Sequence, residues 1–310
     1  MNREDIRKLI VGPIATVPTP MDDDFEIDHG RMAELTKWWV DNGLVKGKSV
    51  IKVAAAMGEG PMLRDHELYT LLRTTVRAAD DKAAIVLGLG YKDTKGIIDD
   101  AKRAQDLGAI GLQVVPPIFN LPKQNEILQF YSDLSDAIDI GIMVYVTKGM
   151  HTPIYMDTYR KMVDLENIVA IKWGGIVGEY EDIYELADTF NIIDNGHGAV
   201  ACHKLGGKGY INHTVDIHPP HDLRVWELCE NKEYEEAQAL LDSVNGPLDK
   251  VYAKVGARTG GQSVVKKGLT AAMGRSCGPS RPPSGNMNEE EMDLLREVLT
   301  GFGWPVPSST

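Results

Sequence analysis

The sequence predicts a (β/α)8 barrel followed by a helical C-terminal extension. Short apolar segments of strand character alternate with longer amphipathic segments up to about Pro220, and only helical patterns follow. This alternation is typical of parallel strands joined by helical crossovers, and eight strand–helix units match a closed barrel. We therefore expect a catalytic barrel domain over residues 1–222 and a helical extension over residues 223–310.

The predicted strands are short apolar runs bounded by glycine or polar residues. They cover residues 13–17, 49–55, 84–89, 111–115, 141–146, 168–172, 191–194 and 209–213. Apolar residues at helical spacing predict the intervening helices over residues 31–41, 65–79, 94–107, 125–137, 156–164 and 180–190. In the extension we expect helices over residues 223–241, 243–255, 263–273 and 288–299, the last with Asn288 as its N-cap.

A doubly wound open sheet is the alternative architecture for alternating strands and helices. Such sheets usually have fewer strands, and those that bind dinucleotides carry a glycine-rich phosphate turn. Here Gly88-Leu89-Gly90 is not followed by the third glycine of that turn. The barrel is therefore the preferred prediction.

The composition argues against several classes of partner. The formal net charge of -12 is unfavourable for nucleic acids and anionic membranes, since both bind basic surfaces. The three cysteines are far apart and form no CxxC pair, which favours a reducing, cytoplasmic location. The charged N-terminus has no signal-peptide core, and no apolar run is long enough to cross a membrane.

Lys172 is the residue that most strongly indicates chemistry. It ends an apolar run over residues 168–171 and is followed by Trp173 and two glycines. Burial at this strand end would lower the pKa of its amine from about 10.4, and a neutral amine can attack a ketone to form a Schiff base. The alternative is a lysine that extends to a surface carboxylate. Barrel active sites lie at the carboxyl ends of the strands, which favours the catalytic interpretation.

Tyr145 ends the neighbouring predicted strand, so its phenol is expected to meet Lys172 and to shuttle protons. Alone, a tyrosine in a strand is usually a core residue with a satisfied hydroxyl group. Lys52 also interrupts an apolar strand, but we expect it near the strand start and away from the active site. Lys148 follows Tyr145 in a loop, where it could contact a substrate carboxylate or remain solvated.

Five histidines fall within one quarter of the chain: His197, His203, His213, His218 and His221. His197 and His213 end adjacent predicted strands and could meet there. No HExxH sequence or paired Cys/His spacing accompanies them. We therefore favour substrate-binding or structural histidines over metal ligands, and we expect no metal site.

Several segments together, in their order and spacing, match one known family. They are residues 12–21, 58–59, 108–112 and 117–120, the Tyr145 strand, and residues 171–172 and 205–209. In these segments the chain resembles the dihydrodipicolinate synthase / N-acetylneuraminate lyase family of class I aldolases. The resemblance implies a (β/α)8 barrel, usually a tetramer. It also implies a Schiff base between Lys172 and a 2-oxo acid, commonly pyruvate, with Tyr145 transferring protons.

The chain departs from this family where substrate is normally bound. The family's Gly-Thr-Thr-Gly-Glu reads Ala55-Ala56-Met57-Gly58-Glu59, so both hydroxyls that hold the 2-oxo acid carboxylate are missing. Phe119 replaces a tyrosine, and the arginine that binds a second carboxylate in dihydrodipicolinate synthases has no clear match. The resemblance therefore implies a divergent member with a more apolar pocket, for which housekeeping dihydrodipicolinate synthesis is not expected.

The resulting hypothesis is a Schiff-base lyase, of aldolase or hydratase-aldolase type, that acts on a 2-oxo acid such as pyruvate or its aldol adduct with an aldehyde. The predicted catalytic residues are Lys172 and Tyr145, and the predicted substrate contacts are Ala56, Met57, Phe119, Lys148, Asn195, His197 and Ile211. No metal or organic cofactor is expected, and the resemblance implies a homotetramer or dimer. Two alternatives stay open: a non-catalytic barrel that binds 2-oxo acids, and a metal-dependent aldolase that uses the histidines.

Overall fold

Eight parallel strands close into a barrel in the computed structural model, which describes residues 1–307. The strands are β1 Gly12–Thr16, β2 Val50–Val53, β3 Ala84–Leu89, β4 Gly111–Val114, β5 Gly141–Tyr145, β6 Ile168–Trp173, β7 Asn191–Asp194 and β8 Gly209–Asn212. Each strand pairs with the next along the chain, and β8 closes the barrel on β1 with Gly12 opposite Gly209. The predicted (β/α)8 barrel is confirmed.

Helices surround the barrel and continue beyond it. Within residues 1–307 they are α1 Arg3–Arg7, α2 His29–Asp41, α3 Asp65–Ala79, α4 Thr94–Asp106, α5 Gln124–Ala137, α6 Met156–Lys161, α7 Ala199–Lys204, α8 Pro219–Glu230, α9 Tyr234–Gly256, α10 Gln262–Ala272 and α11 Glu289–Gly301. The segment predicted as a helix over residues 180–190 is instead a 3-10 helix, Tyr180–Leu186.

Successive side chains along each strand point alternately into the barrel interior and toward the surrounding helices. On β6, Ile171 and Trp173 belong to the large apolar core, whereas Ala170 belongs to an inner apolar cluster with residues of other strands. Lys172 therefore shares the inner face of β6 with Ala170. The Trp173 indole donates a hydrogen bond to the Tyr180 carbonyl at 2.9 Å, which fixes the end of β6.

The C-terminal helices pack around an apolar cluster of their own. Val251 of α9, Leu269 of α10 and Leu295 of α11 lie in it, fully or almost fully buried. The Asn288 side chain accepts a hydrogen bond from the Glu291 backbone amide and caps α11, as predicted. The boundary expected after residue 222 falls inside α8, so the division of the chain into barrel and extension remains a prediction.

The break predicted between the helices over residues 223–241 and 243–255 lies instead at residues 231–233, between α8 and α9, and α9 runs through Pro247 without a break. Val244 and Leu248, on either side of the proline, are both buried in the C-terminal cluster. Tertiary packing therefore holds the helix together where the proline weakens it. None of the helices in residues 1–307 is both long and apolar enough to cross a membrane.

Candidate active site

A cavity of about 1090 Å³ lies where the strands end. All eight strands, or the residues that directly follow them, contribute to its wall, and α9 and the start of α10 close one side. The α9 residues that line it share one helix face: Asn245, Leu248, Asp249 and Tyr252. The contribution of the C-terminal extension to the cavity was not predicted from the sequence.

Lys172 and Tyr145 meet in this cavity. They occupy paired positions on β6 and β5, and the Lys172 Nζ atom lies 3.7 Å from the centroid of the Tyr145 ring. Burial lowers the pKa of the Lys172 amine from 10.5 to about 7, because a low-polarity environment disfavours the ammonium form. At neutral pH a substantial fraction of this amine is unprotonated and able to act as a nucleophile.

Lys52 lies in the same cavity, so the expectation that it is away from the active site is wrong. β2 is only four residues long, which places position 52 one residue from its carboxyl end. The side chain is fully buried, and its Nζ donates a hydrogen bond of 2.6 Å to Gln113 Oε1. Burial, and then the charge of Lys172, lower the pKa of Lys52 well below its ordinary value.

Most of the predicted substrate contacts line the cavity together with Lys172 and Tyr145. They are Ala56, Met57, Lys148, Asn195 and Ile211. The missing hydroxyls of the family are thus replaced by a methyl group and a thioether at the cavity wall. The loop after β2 therefore makes this part of the site less polar, while amines extend into the cavity from β2 and β6.

Phe119 and His197 do not line the cavity. Phe119 is 82% exposed in the loop after β4, where Asn120 and Leu121 turn the chain with left-handed backbone conformations. The His197 ring stacks on Tyr180, with ring centroids 3.8 Å apart. The Asp194 carboxylate accepts hydrogen bonds from the backbone amides of residues 196, 197 and 198, which fixes this tight turn.

His213 is the histidine that reaches the cavity wall, where its Nδ1 is hydrogen-bonded to the Tyr252 hydroxyl at 2.8 Å. Burial and the positive charges of Lys266, Lys172 and Lys52 lower the pKa of His213 to about 3. It is therefore a neutral hydrogen-bonding group at physiological pH. Across residues 1–307, no three His, Cys, Asp or Glu side chains are grouped as they would be around a metal ion.

Gly58 and Glu59 have a structural task at the cavity edge. Glu59, in the left-handed region at φ 55°, forms a buried ion pair of 2.9 Å with Lys267 of α10. The Gly58 carbonyl accepts a hydrogen bond of 2.6 Å from the Thr19 hydroxyl. These contacts hold the 3-10 turn Ala56–Gly58, which carries Ala56 and Met57 at the cavity wall.

Among the polar residues of the cavity wall that were not predicted from the sequence are Thr16, Gln113 and Tyr91. Thr16 and Gln113 belong to predicted strands that were treated as apolar, and a polar residue at an inward position of a strand is the signal that could have found them. Tyr91 follows β3 with a left-handed backbone, φ 68°. A non-glycine residue in that region is uncommon and is often found at functional sites.

The closed barrel, the buried amine and the adjacent phenol define the class: the protein is an enzyme, a lyase of the class I aldolase type. Residues 10–301 match the profile of the Dihydrodipicolinate synthetase family. The chain belongs to this family, whose members are Schiff-base lyases.

Curated relatives and solved structures agree with that assignment. A 4-hydroxy-tetrahydrodipicolinate synthase of Cutibacterium acnes is 30% identical over 290 residues, which cover 92% of this chain and 95% of that protein. One from Heliobacterium modesticaldum is 27% identical over 294 residues, covering 94% and 95%. The crystal structure of the chloride-inhibited dihydrodipicolinate synthase from Acinetobacter baumannii, complexed with pyruvate, has a TM-score of 0.84 at 25% identity, covering 95% of this chain and 99% of that one.

Proposed function

We propose that the protein forms a Schiff base between Lys172 and a 2-oxo acid such as pyruvate, and uses it to make or break a carbon–carbon bond or to remove water. The observation that carries this proposal is the Lys172 amine, buried in the cavity with a pKa of about 7 and 3.7 Å from the Tyr145 ring centroid. No metal or organic cofactor takes part in the proposed reaction.

The proposed sequence of steps conserves atoms and charge. The neutral Lys172 Nζ adds to the ketone carbon, and the carbinolamine hydroxyl group accepts a proton through Tyr145 and leaves as water, which gives a protonated imine. When the bond between C3 and C4 of an aldol adduct breaks, its electron pair passes to the imine and leaves an enamine, while the C4 hydroxyl proton departs through Tyr145. Protonation of the enamine and hydrolysis then release the 2-oxo acid and restore the lysine.

We infer that the second reactant differs from that of the curated relatives named 4-hydroxy-tetrahydrodipicolinate synthase. Ala56 and Met57 line the cavity without offering a hydroxyl group, which favours a reactant with an apolar or aromatic part. Lys148, Asn195 and Ile211 are proposed as further contacts to it. Phe119 and His197 are not proposed as substrate contacts, because neither lines the cavity.

We also propose that the protein assembles with itself, as a dimer or tetramer. Ile118, Phe119 and Leu121 are 40%, 82% and 63% exposed in one loop. A cluster of exposed large apolar side chains is typical of an interaction surface. Light scattering coupled to size-exclusion chromatography measures the mass in solution, and a Phe119→Asp variant is expected to shift it toward a monomer.

A cytoplasmic location is also proposed, because the three cysteines are buried and form no disulfide bond within the described residues.

Borohydride trapping tests the Schiff base. Wild-type protein incubated with pyruvate and sodium borohydride should gain the mass of one reduced adduct, measured by intact mass spectrometry. Lys172→Ala should gain none, whereas Lys102→Ala, which removes an exposed lysine of α4, should behave as wild type. Failure of the wild type to trap pyruvate or any other 2-oxo acid would contradict the proposal.

Two competing functions have distinct outcomes. A non-catalytic binding barrel would hold pyruvate without exchanging its methyl protons into deuterated water, which NMR detects. A metal-dependent aldolase would lose its activity in the presence of a chelator.

A further inference from the structure

We propose that Lys52 binds the carboxylate of the 2-oxo acid, with the Thr16 hydroxyl as a second donor. This inference rests on the proposed function, and it gives the cavity the anion-binding group that the Ala56-Met57 substitution removed. In the family the loop after β2 holds the carboxylate, whereas here we assign that binding to the inner face of β1 and β2.

Lys52 and Lys172 extend into the barrel from opposite sides. The strands follow each other in sequence order around the closed barrel, so β2 and β6 are diametrically opposed. The interior of an eight-stranded barrel is only wide enough for side chains or one small ligand. Both amines line the same cavity, so a small molecule whose carbonyl carbon contacts Lys172 can present its adjacent carboxylate to Lys52.

Lys52 has a hydrogen-bonding capacity that the chain itself does not use. Its Nζ carries up to three donors, and the neutral amide oxygen of Gln113 accepts one of them. Within residues 1–307 no carboxylate forms an ion pair with it, whereas Lys266, equally buried, is paired with Asp216 at 2.5 Å. A buried lysine without a counterion is unfavourable, and an anionic ligand is the partner that would satisfy it.

Thr16 supplies a second, independent indication. It is paired with Lys52 in the register of β1 and β2, so both side chains point to the same side of the sheet. Its hydroxyl is buried and has no hydrogen-bond partner within the described residues. Buried hydroxyl groups are nearly always satisfied. The Lys52 amine, protonated on binding, and the Thr16 hydroxyl lie side by side on the cavity wall and form a pair of donors suited to the two oxygens of a carboxylate.

The charges of the site favour the same ligand. Burial, and then the positive charges of Lys172 and Lys266, lower the pKa of Lys52 and disfavour its protonation. A carboxylate between Lys52 and Lys172 relieves this repulsion and raises the pKa of Lys52. Binding of a 2-oxo acid should therefore be accompanied by proton uptake, whereas an uncharged ketone gives no such uptake at Lys52.

The test compares a charged and an uncharged ketone on the same variant. Borohydride trapping is measured against the concentration of pyruvate and of methyl pyruvate, the uncharged ester. Lys52→Met should raise the half-saturating concentration of pyruvate roughly tenfold or more, the loss expected for one charge-assisted hydrogen bond, and leave that of methyl pyruvate within about twofold. Any effect of Lys52 on the Lys172 amine alters both probes alike and cancels in their ratio. Lys102→Met serves as the surface-charge control.

A second measurement separates this inference from the Schiff base. Pyruvate binding to Lys172→Ala, which cannot form the adduct, is measured by calorimetry with and without Lys52→Met. Loss of binding in the double variant supports the anion site even if no adduct ever forms. An unchanged pyruvate-to-ester ratio, or equal binding by the single and double variants, would overturn it. If Lys52→Met does not fold, two other variants replace it. Lys52→Arg, which keeps the charge, must then bind pyruvate more tightly, relative to methyl pyruvate, than Lys52→Gln, which removes the charge.

Discussion

The Lys172 Nζ atom lies above the face of the Tyr145 ring, 3.7 Å from its centroid, on neighbouring strands in paired register. Two long side chains are thus held together by strand geometry rather than by a flexible loop. The aromatic face stabilises the ammonium form, while burial favours the neutral amine. The amine is therefore balanced between its protonation states near neutral pH.

Lys172→Met should abolish the borohydride adduct with pyruvate without unfolding the protein. Removal of a buried amine also removes its desolvation cost, so the variant should be at least as stable as the wild type in urea unfolding at pH 7. A large loss of stability would show instead that Lys172 has a structural role. Far-UV circular dichroism before the assay confirms that the variant is folded.

Tyr145→Phe keeps the ring against Lys172 and removes only the hydroxyl group. We expect the exchange of pyruvate methyl protons into deuterated water to slow by roughly 10²- to 10⁴-fold, the usual contribution of one proton-transfer group. The adduct with Lys172 should still accumulate on long incubation. Equal exchange rates for the variant and the wild type would remove Tyr145 from the mechanism.

The rate of adduct formation should rise with pH through about 7 and then level off. The pKa of Lys172 is lowered to about 7 by burial, and only the unprotonated amine is nucleophilic, so the reactive fraction increases as the pH passes that value. Single-turnover trapping between pH 5.5 and 9 measures this profile. A profile still rising at pH 9 would mean that the amine keeps an ordinary lysine pKa.

The lowered pKa of Lys172 also makes the stability of the folded protein depend on pH. Its pKa is lower in the folded than in the unfolded protein, so the unfolded state binds more protons between about pH 7 and pH 10.5. The folded state therefore gains stability from this group as the pH rises through that window. Relative to Lys172→Met, which lacks this group, the wild type should gain free energy of unfolding between pH 6.5 and pH 9. Urea titrations at these two pH values measure the change. Equal differences at both pH values would contradict the prediction.

The buried ion pair of Glu59 and Lys267 should contribute to stability only when both partners are present. Their side chains are almost fully buried and lie 2.9 Å apart, so removing one leaves a buried charge without its partner. Lys267→Met is expected to lower the free energy of unfolding by about 3–5 kcal/mol, measured by urea denaturation. The double variant Glu59→Gln/Lys267→Met should recover part of that loss. If the single and double variants were equally destabilised, the ion pair itself would not be the cause.

The barrel could be predicted from the sequence because its strands are apolar runs between glycines, a local signal. Lys172 and Tyr145 could be predicted to meet because both end strands that are neighbours in chain order. Lys52 could not be placed correctly, because β2 is shorter than its apolar run and the relevant strand end lies at Val53. An error of two residues in a strand end was enough to move a lysine from the active site to the opposite end of the barrel.

The positions of Phe119 and His197 depend on loops, where tertiary contacts decide the direction of each side chain. The turn at His197 is fixed by the Asp194 carboxylate, and the ring then stacks on Tyr180. No periodicity in the sequence reports such contacts. The same holds for the break between α8 and α9, which lies at residues 231–233 and not near residue 242.

The face of α9 that lines the cavity has a consequence for how this enzyme can be dissected. The barrel segment that carries Lys172 and Tyr145 does not enclose the cavity by itself, because Asn245 and Tyr252 come from a helix that follows the eighth barrel strand. A fragment ending at residue 222 would keep both reactive groups and leave them open to water on that side. Changing the helix, with the lysine untouched, is therefore a route to altering which molecules reach it.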